Sequence, residues 1–315
     1  MFRLTQCNAV SPEECRDMTL TRRQMTGGMA ALAMAAGAGP ARTETRMTNL
    51  PFAATTPVSI GRVGLRARDA EAVAAFYKAV LGLKELRRAG STIGLGADGR
   101  ELLEIEGSAA LREDDPRSAG LFHTAFLLPA RADLARWTQH AIDNRIAIDG
   151  ASDHLVSEAI YLNDPEGNGI EIYVDRDPAE WPREGNAIRM ATERLDFDRL
   201  MTELRDGAAG WTGAPDGTVV GHVHLRVGDV DAAEAWWNEK QGFDTVTHYG
   251  GQAVFLSTGG YHHHIGANIW RSRGAGLRDA DRAGLGFVEL SAKEATAESV
   301  SRDPWGNEIR VRPAA

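Results

Sequence analysis

"DHLVSEAIYLNDPEGNGIEIY", residues 153 to 173, carries a histidine, then a tyrosine, then a glutamate set between two isoleucines. "SEAIYL" reads as a strand and "DPEGN" as a turn, in which Pro165 fixes φ while Gly167 and Asn168 tolerate left-handed backbone. "GIEIYVD" then resumes as a second strand. The stretch is a hairpin that closes a larger unit, and the unit recurs along the chain.

Residues 58 to 69, "VSIGRVGLRARD", alternate apolar and polar side chains, and "AEAVAAFYKAVLGL" after them has helical spacing. "KELRRAG", "TIGLGA" and "RELLEIEG" follow as three short strands, which makes a βαβββ unit. A second copy runs from "GLFHTAFLLP" through the helix "RADLARWTQHAIDNR" to the opening hairpin. A third covers 220 to 270, with "VGHVHLRVGD", the helix "VDAAEAWWNEKQGF", then "DTVTHYG", "AVFLST" and "HHHIGANIW". A fourth begins at "GLGFVELSA" and ends at "DPWGNEIRVRP", repeating the Asp-Pro-x-Gly-Asn turn, but it is too short for its helix and one strand. The expected class is α+β, repeated βαβββ modules forming open curved mixed sheets with the fourth module truncated. Along the chain this gives an upstream extension at 1–57, a region of modules 1 and 2 at 58–174, a connector at 175–219, and a region of modules 3 and 4 at 220–312. The connector is long for a hairpin connection and contains one short helical pattern, "LDFDRLMTELRD".

The 315 residues are 43% hydrophobic and 25% charged, with a formal net charge of -9. That balance excludes a basic nucleic-acid surface, and no apolar run is long enough to cross a bilayer, so small molecules are the expected partners. Cys7 and Cys15 both precede the repeats, so any metal in the folded body must use histidine and carboxylate. Residues 18 to 41 place Arg22 and Arg23 before a weakly apolar run that ends in small residues, which resembles a twin-arginine export signal. Periplasmic localisation is the expectation, with a disordered leader on a cytoplasmic protein as the alternative.

Repeated βαβββ units that end in a turn and a carboxylate resemble the vicinal oxygen chelate superfamily, the glyoxalase, bleomycin-resistance and extradiol dioxygenase group. The resemblance covers about residues 58 to 312. Within that group the opening stretch is similar to the extradiol dioxygenase signature, through His154, Ile160, Tyr161, Asp164, Pro165, Gly167 and Glu171. Ser152, two before the histidine, departs slightly from it. Together with "GGYHHHIGANIW" and "GHVHL", the pattern looks most like bacterial catechol 2,3-dioxygenases of the short two-domain kind.

The resemblance implies metal ligands on the first strands of the units and on one closing strand. The first unit has Arg62 at that place, and a guanidinium does not bind a cation. The fourth has Gly286 and Phe287. His123, His222 and Glu171 remain as the implied triad, which requires modules 2 and 3 to pair across the connector and leaves module 1 to pair with module 4. His224, two residues on from His222, competes with it for the role.

Two histidines and one carboxylate leave positions open for a catecholate and dioxygen and suit Fe(II), with Mn(II) as the alternative. By the same resemblance His263 is the acid/base, with His262 and His264 on the opposite face of a strand, and His154 and Tyr161 address the substrate hydroxyls. Trp236, Trp237, Phe255 and Trp270 are candidates for an aromatic wall, while His140 and His248 read as surface residues. The implied activity is ring opening of a catechol with O2. The alternatives are a glyoxalase-like isomerase or lyase, and a metal-free small-molecule-binding protein. Self-association is left open by the sequence.

Overall fold

The computed structural model describes residues 2–5, 17–20, 50–185, 187–204 and 209–314. The bulk of the expected export segment, residues 21–41, lies outside the described residues. Two short strands, β1 (Phe2–Thr5) and β2 (Asp17–Leu20), pair antiparallel with each other.

The three full units appear as expected. The first is β3 (Val58–Ala67), α1 (Ala70–Val80), β4 (Lys84–Ala89), β5 (Thr92–Ala97) and β6 (Arg100–Gly107). The second is β7 (Gly120–Leu127), α2 (Arg131–Asn144), β8 (Gly150–Asp153), β9 (Ser157–Asn163) and β10 (Gly169–Asp175). The connector holds β11 (Arg183–Glu184), β12 (Ala187–Ile188), β13 (Glu193–Arg194) and α3 (Phe197–Met201). The third unit is β14 (Val219–Arg226), α4 (Val230–Gln241), β15 (Asp244–Tyr249), β16 (Ala253–Ser257) and β17 (Ile265–Asn268). The fourth keeps only β18 (Gly284–Ala292), β19 (Ser299–Arg302) and β20 (Glu308–Pro313), without a helix among the described residues.

Hydrogen bonding does not follow chain order. One sheet has nine strands in the order β13-β8-β9-β10-β7-β14-β17-β16-β15, so it joins modules 2 and 3. The other has seven, β19-β20-β18-β3-β6-β5-β4, and joins modules 4 and 1. In each sheet the two first strands pair antiparallel at the centre, β7 with β14 and β18 with β3, and each first strand runs parallel to the last strand of its own unit. The result is a mixed, curled α+β architecture. Regions 58–174 and 220–312 are therefore divisions of the sequence, and each sheet draws on both.

One face of each sheet packs under the helices. Tyr77 of α1, Trp137 of α2 and Trp237 of α4 are fully buried in one continuous apolar core with the alternate residues of the strands. On β10, Ile170, Ile172 and Val174 enter that core, which by the period-two alternation sends Glu171, Tyr173 and Asp175 to the other face. The end of the upstream extension is built into the fold. Phe52 packs edge-on against Tyr261, and the Ala53 carbonyl accepts from His264 Nε2 at 3.0 Å.

The two Asp-Pro-x-Gly-Asn turns have matching geometry. Asp164 Oδ1 accepts from the amides of Glu166 and Asn168, both at 2.9 Å, and Asn168 Nδ2 donates to Oδ2 at 2.8 Å. Asp303 does the same with Trp305 and Asn307 at 3.0, 2.9 and 2.8 Å. Gly167 and Gly306 both sit at φ +84°, where a side chain would be strained. Because these groups are buried, Asn307→Ala should cost about 1–2 kcal/mol of stability, read as a lower denaturant midpoint at unchanged slope; an unchanged midpoint would refute this account of the turn.

Candidate metal centre and pocket

The antiparallel pairing of β7 with β14 sets His224 opposite His123 and His222 opposite Ala125, while the parallel pairing of β7 with β10 sets Glu171 against the same Ala125. Small Ala125 leaves the space above it to the two side chains on either side. A register shift between Val220 and His222 falls at Gly221, where an added Cβ would lie 1.8 Å from the Tyr173 hydroxyl. The bulge thus turns His222 inward and seats Tyr173 beneath it, their ring centres 4.9 Å apart.

Glu171 Oε2 lies 3.0 Å from His123 Nε2 and 3.1 Å from His222 Nε2. One ligand atom from each of the three residues falls within 4.8 Å of the others, and all three residues are buried. Burial holds His222 neutral, its pKa pushed down to about 4, although the Glu171 charge opposes the shift. Burial alone would raise the Glu171 pKa, but electrostatic attraction and hydrogen bonds from His222 and His123 outweigh it and hold the carboxyl well below the usual range. Two imidazoles and a buried carboxylate converging on one point form a donor set for a divalent cation. The absence of another carboxylate in the pocket lining, among the described residues, fits an ion held on one face with room opposite.

The pocket above the triad is open to solvent, and the empty space it encloses together with its mouth is about 670 Å³. His154 stands on a tight turn between β8 and β9, where Leu155 takes φ +69° and Arg176 clamps Asp153 with two hydrogen bonds of 2.6 Å. Its Nδ1 donates to the Ala191 carbonyl at 2.8 Å, so its Nε2 is left to accept from the Tyr161 hydroxyl at 2.6 Å. Burial and the nearby Glu171 charge push the Tyr161 pKa well up, so the hydroxyl keeps its proton. His263 also lines the pocket, its ring centre 4.1 Å from that of His222.

Some expectations are corrected. The run His262-His263-His264 is not strand; β17 begins at Ile265, and the three histidines occupy the bend before it. His264 still turns away, to Ser257 and Ala53, but His262 lies directly behind His263. Phe255 and Trp270 wall the pocket, whereas Trp236 and Trp237 belong to the α4 packing. His248 is half exposed, yet it stands at the mouth of the pocket, tied to Glu234 at 2.9 Å. His224 lies beside the triad with Nε2 unpartnered, wedged among Phe122, Phe255 and Trp270. Met190, Ala191 and Thr192 of the connector close one side of the pocket. No sequence motif marked them, because their role depends on β13 pairing with β8.

The other sheet explains why this donor cluster occurs once among the described residues. Matched through the strand registers, Phe287 stands where His123 does, Arg62 where His222 does and Arg310 where Glu171 does. The Arg310 guanidinium lies 3.6 Å over the Phe287 ring, and Arg62 reaches Glu289 at 3.0 Å and Glu101 at 2.5 Å. Fixed guanidinium cations fill the place of an ion there.

Buried histidines make the fold acid-sensitive. Burial lowers the pKa of His154, His224 and His263, that of His222 to about 4 and that of His264 to about 3, from an ordinary 6.5. Below about pH 6.5 the unfolded chain binds protons that the folded chain refuses, so stability present above that value is lost as pH falls. Denaturant midpoints of the metal-free protein should drop between about pH 7 and pH 5, and His264→Gln, outside the pocket, should flatten the drop. A pH-independent midpoint would contradict these shifts.

With the fold and site in place, comparison with known proteins gives a consistent assignment. The Glyoxalase/Bleomycin resistance protein/Dioxygenase superfamily profile matches residues 59–172. A "Catechol-2,3-dioxygenase" of Bacillus subtilis (strain 168) is 41% identical over 236 residues, 73% of this chain and 81% of that protein. The crystal structure of a putative dioxygenase from Bacillus subtilis covers 81% of this chain and 84% of its own, at 14% identity and a TM-score of 0.53, a likeness of fold. The chain belongs to the glyoxalase/bleomycin resistance/dioxygenase superfamily.

Proposed function

We propose that the protein is an extradiol dioxygenase that opens the ring of a catechol or substituted catechol with O2 at an Fe(II) held by His123, His222 and Glu171. The observation that carries this reading is the donor set itself. Two histidines and a single carboxylate converge at the base of a pocket whose lining also includes Phe255 and Trp270. The named relative is a catechol-2,3-dioxygenase, and 41% identity over most of both chains supports carrying that activity over. A glyoxalase-like site would want more carboxylate, and Glu171 is the sole one in the lining among the described residues.

When bound, ferrous iron supplies the redox chemistry with dioxygen and a positive charge that favours the ionised diol. The protein's groups handle binding and protons. His263, neutral and facing the pocket, takes a proton from one substrate hydroxyl and returns it later. Because Tyr161 donates to His154 Nε2, its oxygen presents lone pairs and accepts the hydrogen bond of the other hydroxyl, and His154 acts through it. Phe255 and Trp270 hold the aromatic plane and limit water. We also propose that residues 18–41 direct the folded protein to the periplasm, which secretion of an Arg22→Lys/Arg23→Lys variant would test.

The full-length protein, loaded anaerobically with Fe(II) and mixed with catechol in air near neutral pH, should turn yellow as the ring opens. Glu171→Gln should lose both iron and activity. Its loss of metal affinity should exceed the roughly 10–100-fold that follows removal of groups behind metal ligands. Failure across a panel of catechols with iron bound would overturn the assignment.

A further inference from the structure

Behind His263 runs a buried chain of hydrogen bonds that the ligand triad does not require. His263 Nδ1 lies 2.8 Å from His262 Nδ1, and His262 Nε2 lies 2.8 Å from Asp175 Oδ1. The Tyr261 hydroxyl donates to the same Asp175 oxygen at 3.2 Å and stands 2.7 Å from the Tyr173 hydroxyl. His262 is fully buried, its ring lying against Tyr261 at 4.0 Å between centres and against Trp181 at 5.2 Å. A ring held this way does not turn over.

The direction of each bond follows from what each group can donate. A carboxylate accepts, so an imidazole with one ring proton facing it carries that proton on the nearer nitrogen, here His262 Nε2. His262 Nδ1 is then a bare acceptor, and the proton between the two Nδ1 atoms belongs to His263. Tyr261 donates to Asp175, so Tyr173 donates to Tyr261. All donors in the chain point toward Asp175, and none is in conflict.

We propose that Asp175 and His262 are positioning residues that lock His263 as its Nδ1–H tautomer, leaving Nε2 a free base toward the pocket. The arrangement puts an acid behind an imidazole, as in serine hydrolase triads, with a second imidazole as spacer. Alternation along β10 is what makes it possible. Glu171 goes to the metal position, Tyr173 packs beneath His222 and Asp175 meets His262, all from one strand face. The inference rests on the dioxygenase reading for the use of His263, while the tautomer is a property of the protein alone.

Two experiments separate these. In full-length, metal-free protein carrying ¹⁵N-histidine, long-range ¹H–¹⁵N spectra should show His262 as Nε2–H and His263 as Nδ1–H. His263 as Nε2–H, or His262 doubly protonated at neutral pH, would overturn the proposal whatever the activity. In the Fe(II)-loaded protein, Asp175→Asn can donate an amide N–H to His262 Nε2 and reverse the chain. It should lower kcat by roughly 100-fold or more with iron content and KM for catechol within about twofold. A kcat that survives, or one that falls only along with iron, would sink the lock. A wild type that cleaves no catechol would defeat the functional reading and leave the spectra to decide the tautomer.

Discussion

The contact on which everything else depends is that of Glu171 with His123 and His222. A carboxylate this deeply buried is costly to desolvate, and its neighbours at 3.0 and 3.1 Å are imidazoles rather than guanidinium groups. No permanently charged partner was provided. The arrangement makes sense as a place kept for a cation, and it exists because β7 and β14, from units separated by the connector, meet at the centre of one sheet.

The comparison between the two sheets sharpens this point. Both are built on the same plan, yet one centre is lined by groups that lend lone pairs and the other by Arg62 and Arg310 with their carboxylates and Phe287. The shortened fourth unit supplies only three strands, enough to extend the sheet next to β3 and cover part of module 1. The histidine and carboxylate donors cluster in the complete pair of units, and fixed ion pairs occupy the matching place in the other.

The same strand serves several purposes in the sheet of modules 2 and 3. Odd positions of β10 carry Glu171, Tyr173 and Asp175, and even positions carry core residues. Gly221 and Gly266 make room at the facing strands: a Cβ on Gly266 would come within 2.8 Å of the His224 ring. The connector adds a wall and, through the Ala191 carbonyl, holds His154 with Nε2 toward Tyr161. Glu171, Tyr173, Asp175 and the histidines they meet are thus mechanically joined rather than separately placed.

Much was legible before any coordinates. Periodicity and turn residues specified the βαβββ units, because alternation and Asp-Pro-x-Gly-Asn chemistry are local. The matching places of His123 and His222 on repeated strands, with Glu171 after its turn, pointed to three residues whose ligand atoms lie within 4.8 Å of one another, and bringing them together required modules 2 and 3 to meet. What the sequence left undecided was long-range. A run of three adjacent histidines says nothing of which ring faces a pocket once the backbone bends, so His262 behind His263 went unseen, as did Met190 to Thr192 at the wall and His248 at the mouth. Trp236 and Trp237 were equally ambiguous, since an aromatic residue on a helix fits a core or a pocket. Local pattern decides which residues share a strand face; only the packing of strands distant in sequence decides what that face encloses, because hydrogen bonds and burial are settled by neighbours that spacing along the chain does not specify.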